Sequence, residues 1–204
     1  MRLRRAGSSR IVLLLFLGLV AALTLLSCNK APEKQSEAES VESSGHLSKS
    51  LPVYKRNFSV EDARAMPGAI LKFLARGEDT GGLYALFEAK ALPGFEPPPH
   101  IHTYEDETYY ILEGEVWFKV GEEEFTAKKG EFVFLPRNVK HEFKIMSQML
   151  HVHVGLYPAG LDQYFIDLTA PVTSFEIPPL ATEPPPSEVM ERMMKLNEQY
   201  GIMH

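Results

Sequence analysis

Gly94-Phe95-Glu96-Pro97-Pro98-Pro99-His100-Ile101-His102-Thr103-Tyr104-Glu105-Asp106-Glu107-Thr108-Tyr109-Tyr110-Ile111-Leu112-Glu113-Gly114 gathers two histidines and a following glutamate between two glycines. In extended chain, side chains alternate between faces, so His100 and His102 point the same way and can share one ion. Glu107, at the start of the next apolar run, can swing back as an anionic oxygen ligand. A third histidine, His141, follows Pro136 and Asn138 at the far end of a hairpin, opposite the first two. Imidazole nitrogens with one carboxylate suit one divalent transition metal, whether Fe, Mn, Ni, Cu, Co or Zn, and do not choose among them. A lone histidine on an apolar strand is ordinarily a core residue. The His-x-His spacing with a glutamate behind it makes ligation the better reading.

Outward from this stretch, short apolar or alternating runs predict strands over Ala69 to Ala75, Gly82 to Ala91, Thr108 to Leu112, Glu115 to Val120, Glu124 to Ala127, Glu131 to Leu135, Glu142 to Ile145 and Met149 to Leu156. Glycine and proline punctuate them, which predicts an all-β fold, a single closed barrel or double-sheet jelly roll. Short helices are expected after it. Pro158 to Leu168 reads as one laid against the barrel. Ser187 caps a second, closed by Gly201, with Val189, Met190, Met193, Leu196 and Tyr200 on one face for packing on the barrel or a neighbouring subunit. Ala170 to Pro186, rich in proline, reads as an extended strap. His151 and His153 alternate with Leu150, Val152, Val154 and Leu156, whose stronger apolar character turns the histidines outward. Trp117 has the same outward parity, which makes it a candidate contact in a homodimer.

The first half-century of residues reads differently. Arg2, Arg4, Arg5 and Arg10 precede an apolar run from Ile11 to Leu26, the charged and apolar regions of an export signal. The run is shorter than the roughly 20 residues of a spanning helix. Leu25-Leu26-Ser27-Cys28 follows, and Cys28 is the chain's only cysteine, so no internal disulfide exists. The tetrapeptide resembles the lipobox of bacterial lipoproteins, which implies cleavage before Cys28 and its lipidation. An uncleaved signal anchor is the alternative, and either one exports and tethers the domain. Asn29 to Ser50 has almost no large apolar residue and reads as a flexible polar tether. The organisation expected is a signal peptide over 1–27, a tether over 28–50, the β-barrel over 51–170, and a strap with C-terminal helix over 171–204. A net charge of −6, with the arginines concentrated at the start, argues against nucleic acid as partner.

The glycine-bounded stretch resembles the cupin family. Gly94, His100, His102, Glu107 and Gly114 fall on the family's first motif, and Gly130, Pro136 and His141 on its second. Asn138 stands where that second motif has glycine, and Ile145 where it has asparagine. Asparagine tolerates positive φ, so the turn survives, and the missing asparagine is not a metal ligand. The resemblance spans Leu71 to Leu168 and implies a single-domain bacterial cupin whose metal, held by His100, His102, Glu107 and His141, sits in the mouth of the barrel. Tyr109 and Ile111 share the parity of Glu107 and are expected to line the cavity. Pro97 to His102 and Pro158 to Phe165 are similar to bacterial relatives of quercetin dioxygenase, which implies Glu107 as general base toward a substrate hydroxyl. Two functions stay open: a metal-dependent dioxygenase on a small aromatic or enolic substrate, or a tethered module that binds or senses a small ligand or metal without catalysis.

Overall fold

The His-x-His segment forms a very short strand because the chain entering it cannot donate hydrogen bonds. Pro97, Pro98 and Pro99 have no amide N–H, so pairing starts only at His100, as a single bridge, and the strand itself at Ile101. A computed structural model of the chain describes residues 50, 51, 53–56 and 59–204. The apolar run, Cys28 and the tether up to residue 49 lie outside the described residues.

A 3₁₀ turn, Val60–Asp62, leads into β1 (Ala63–Met66), β2 (Ala69–Ala75), the single turn α1 (Gly77–Thr80) and β3 (Ala85–Ala91). Then come β4 (Ile101–His102), β5 (Asp106–Glu113), β6 (Glu115–Val120), β7 (Glu123–Lys128), β8 (Phe132–Leu135), β9 (His141–Ile145) and β10 (Leu150–Tyr157). The chain finishes with α2 (Leu161–Leu168), β11 (Ala170–Pro171), α3 (Ser187–Gln199) and β12 (Ile202–Met203). One large sheet runs β11-β1-β2-β3-β10-β5-β8, a smaller one β7-β6-β9, and β12 pairs with β4, all antiparallel.

The inner faces of the two larger sheets share one core. Tyr109 of β5 meets Phe118 of β6 with ring centroids 5.4 Å apart and Phe143 of β9 at 5.8 Å. Phe118, Ile111, Leu135, Leu156, Leu161 and Val116 are the largest fully buried side chains, each contributing about 1.5–3 kcal/mol by burial. The fold is therefore the mostly-β jelly roll with a few short helices. Among the described residues the strand pairing does not close into one continuous barrel. Between β4 and β9 it narrows to a single bridge, His100 to His141, because the prolines leave no further donors.

Strand parity behaves as the sequence implies. Leu150, Val152, Val154 and Leu156 are buried, while His151 and His153 face out from the core beside Glu88 of β3, with His151 Nε2 2.6 Å from the carboxylate. Trp117 is half-buried, and the Lys144 ammonium lies 5.1 Å from its ring centre. Two helix starts differ from expectation. α2 begins at Leu161, after Gly160 turns the chain at φ 156°. Ser187 is the first residue of α3 rather than its cap, because Pro186 sits at the cap and its carbonyl accepts from the amides of Val189 and Met190. The strap lies along the β1–β2 hairpin, where Pro178 O accepts from Gly68 N at 3.0 Å.

Candidate metal centre

Backbone pairing brings the histidines together. His100 N donates to His141 O at 3.0 Å and His141 N to His100 O at 2.9 Å, so two residues far apart in sequence face each other across one bridge. Asn138 closes the approach to His141 in the left-handed conformation (φ 63°), as a glycine would, and its amide donates to His102 O at 2.8 Å. Glu96 fixes the other side, its Oε1 accepting from the amide of Ile145 at 2.7 Å and its Oε2 from that of Gly94 at 2.8 Å. Arg137 clamps the turn to the start of β5 through two guanidinium bonds to Asp106, at 3.1 and 2.8 Å, and one to Tyr157 O.

His100, His102 and His141 are 7%, 4% and 2% exposed, and one ligand-type atom from each lies within 4.8 Å of the others. Hydrogen bonds to carbonyl oxygens set two of the tautomers. His100 Nδ1 donates to Pro98 O at 2.9 Å and His141 Nδ1 to Val139 O at 3.1 Å, which leaves both Nε2 lone pairs facing inward. His141 Nε2 is buried without a hydrogen-bond partner, and so is His102 Nδ1. His100 Nε2 and His102 Nε2 stand 3.2 Å apart. Two nitrogens about 2.1 Å from a shared cation are roughly 3.0–3.4 Å apart at ordinary coordination angles. Convergent ring nitrogens, two of them at that spacing and the Nε2 of His141 orphaned, fit a divalent cation.

Glu107 is buried on β5 between Leu156 and Leu135 of the flanking strands, and its Oε2 is 3.6 Å from both His102 Nε2 and His141 Nε2. Burial raises the pKa of such a carboxyl, but the imidazoles outweigh it and hold Glu107 below the usual range. Burial pulls His100 down to about 4, with His141 and His102 adding to the shift. Burial lowers His141 as well. His102 moves up, because Glu107 overcomes the cost of burial. Tyr109, buried beside the same carboxylate, is pushed well above its ordinary value, stays protonated and donates to Glu107 Oε1 at 3.3 Å.

His100, His102 and Glu107 open into a cavity of about 630 Å³, whose walls include Leu71, Phe87, Val152 and Phe165. Tyr109 lines it; Ile111 does not. Ile111 lies one pleat deeper along β5, where Tyr109 packed on Phe118 and Phe143 separates it from the lumen. Several site residues escaped the sequence reading. Glu96 sits in the same stretch, but nothing in its spacing distinguishes it from a surface carboxylate. Met190, Met193, Met194, Asn197, Ile202 and His204 line the cavity from the C-terminal end, where the apolar stripe reads equally well as packing.

Residues 87–154, which hold all three histidines and Glu107, match the family described as Cupin domain (Cupin_2). A Streptomyces coelicolor protein, named Uncharacterized protein SCO3923, is 34% identical over 94 residues, 46% of this chain and 84% of that protein. The chain belongs to the cupin family. Quercetin 2,3-dioxygenase of Bacillus subtilis is 26% identical over 114 residues, 55% of this cupin, which spans only 34% of the length of that enzyme. Among solved structures, KdgF from Halomonas sp. superposes with a TM-score of 0.43 at 19% identity, over 48% of this chain and 87% of the other.

Proposed function

We propose that this cupin is an exported, membrane-tethered metalloenzyme that oxidises a small aromatic or enolic molecule with dioxygen. The observation that carries the reading is the buried histidine triad, two of its inward lone pairs fixed by backbone carbonyls, with His100, His102 and Glu107 opening into a largely apolar cavity. Similarity to quercetin 2,3-dioxygenase supports the reaction class. His100, His102 and His141, with Glu107 as the oxygen ligand, would hold a divalent transition metal. The metal would supply Lewis acidity and redox exchange with dioxygen.

The chain's own residues account for the rest. Glu107 is ionised and accepts the proton of the substrate hydroxyl at its carboxylate, with the Tyr109 hydroxyl holding Oε1 in place. The imidazoles that keep Glu107 ionised also make it a weak base. The hydroxyl it deprotonates must therefore be acidic, enolic or phenolic rather than alcoholic. The apolar walls exclude water and accept the carbon skeleton. The signal over 1–27, lipidated Cys28 and the tether over 28–50 would place the barrel of 51–170, with its C-terminal strap and helix, outside the cytoplasm, with Trp117 as a contact in a homodimer.

Oxygen uptake tests the activity: full-length protein loaded in turn with each candidate metal consumes oxygen when given a flavonol. Stoichiometric metal without turnover on flavonol or any simpler enol would instead make the chain a tethered binding module. Metal analysis of the natively purified protein identifies the ion, and the mass of the Cys28 peptide tests lipidation.

A further inference from the structure

The family match ends at Val154, yet part of the cavity wall comes from the last eighteen positions of the chain. α3 presents Met190, Met193 and Met194 to the lumen, and beyond it Ile202 and His204 complete the wall. Two observations mark this wall as more than packing. Of the residues of α3, only Leu196 is buried, whereas Met190 and Met194 remain 43% and 59% exposed. A helix that served the core alone would turn its methionines into it. Secondly, the segment is moored at its C-terminal part. Arg192 donates to Asp167 O, the Tyr200 hydroxyl donates to Asp167 Oδ2 at 2.9 Å, and Ile202 pairs directly with His102. The methionine-bearing half lies ahead of most of those moorings, over the lumen.

A polar corner adjoins the metal end. The Tyr164 hydroxyl donates to Asn197 Oδ1 and Asn197 Nδ2 to His204 Nε2, both at 3.0 Å, and the His204 ring centre is 6.3 Å from that of His100. A molecule in the cavity thus meets hydrogen-bonding groups beside the histidines and thioethers elsewhere. Thioether side chains are unbranched and polarisable, and they fit flat aromatic surfaces of varied outline. The volume matches a ligand of drug-like size.

We propose that α3 is the substrate-selecting wall of this cupin, its three methionines gripping the flat apolar body of an aromatic molecule whose hydroxylated edge faces the histidines. The proposal deepens the dioxygenase reading and rests on it for the orientation of the ligand. The probe is 2,3-dihydroxynaphthalene, titrated anaerobically by calorimetry into the metal-loaded full-length chain. A variant carrying Met190→Gln, Met193→Gln and Met194→Gln keeps residues of similar helix propensity. It should bind the probe about tenfold more weakly, since each site loses apolar contact, with metal content equal to the parent. Met146→Gln, at an exposed turn away from the cavity, should bind as the parent does. Should the triple variant not fold, Met193→Gln alone should still weaken binding by about threefold. Equal affinity in parent and methionine variants at equal metal content overturns the proposal, as does the same loss in Met146→Gln. Methionine-dependent binding without oxygen uptake on readmitting air upholds the wall and counts against the dioxygenase reading alone.

Discussion

The two ends of the cavity are built on opposite plans. At the metal end every functional side chain sits on a strand or beside one, and its position follows from backbone pairing: His100 against His141, Asn138 against His102, Glu107 between Leu156 and Leu135. At the C-terminal end the wall is a helix carrying flexible methionines, held largely by side-chain bonds to α2 and by one short strand pair. Chemistry needs fixed donors, because a misplaced ligand loses coordination outright. Recognition of an apolar body tolerates, and gains from, a wall that can repack. The residues of the first plan, Leu156 apart, fall within the family match; the second lies outside it.

The sharpest way to break the contrast is at the rigid end. His100→Ala and His141→Ala should each weaken metal binding at least about 100-fold, since losing even a partner that orients a ligand typically costs roughly 10–100-fold. The fold should persist, because neither imidazole belongs to the hydrophobic core around Phe118. Metal content after dialysis, with circular dichroism alongside, checks this. Undiminished occupancy in both variants would remove these histidines from the ligand set.

That end was also where the sequence spoke most clearly, and the reason is physical. Strand parity has a period of two, so alternation alone turns His100 and His102 inward and His151 and His153 outward. Ligand chemistry narrows the residue types further. What parity does not carry is depth along a strand: Tyr109 and Ile111 share a face, yet only Tyr109 reaches the lumen, because aromatic packing across the sheets decides where the cavity stops. The second plan left a weaker trace. An amphipathic stripe of methionines marks a buried or ligand-facing side equally well, and whether α3 serves core or cavity depends on moorings such as Tyr200 to Asp167, which have no local signature. β1, β4, β11 and β12 were likewise missed. Each is so short that its pairing is a product of the fold, with too few residues to show a pattern.

Acid should weaken the metal-free protein through the same rigid end. The imidazole of His100 titrates near 6.5 when unfolded and at about 4 in the fold, because burial disfavours its charge. Between those values the unfolded chain binds a proton that the folded chain does not, so stability falls as pH drops through the window. At 1.36 kcal/mol per unit, the His100 contribution is about 3 kcal/mol. His141, also lowered by burial, acts in the same direction; His102, raised by Glu107, opposes it. Urea unfolding of metal-free wild type and His100→Gln from pH 7 to 4 isolates the term. The two curves should converge as pH falls, the wild type losing more, and parallel curves would mean that His100 is not held neutral by its surroundings.

The smallest effect belongs to the adaptable end, and it tests whether that wall is moored to the metal site at all. Gly201 has φ 66°, and its carbonyl accepts from both the amide and the hydroxyl of Thr103, at 3.0 and 2.9 Å, immediately beside His102. A Cβ at this position would stand 2.1 Å from Thr103 Oγ1 and 2.7 Å from the ring of exposed Tyr104. Gly201→Ala therefore strains the left-handed backbone, costing about 1 kcal/mol, and pushes Thr103 off its bond. Since α3 hangs from this turn through Tyr200 and β12, its methionines should lose their place over the lumen while the histidines, held by β9 and the Asn138 turn, keep theirs. Thermal unfolding should show the modest loss, metal analysis no change, and calorimetry a weaker hold on 2,3-dihydroxynaphthalene. A loss of metal in step with the loss of probe would show instead that the C-terminal strand is part of what positions His102, and the two plans would then be one.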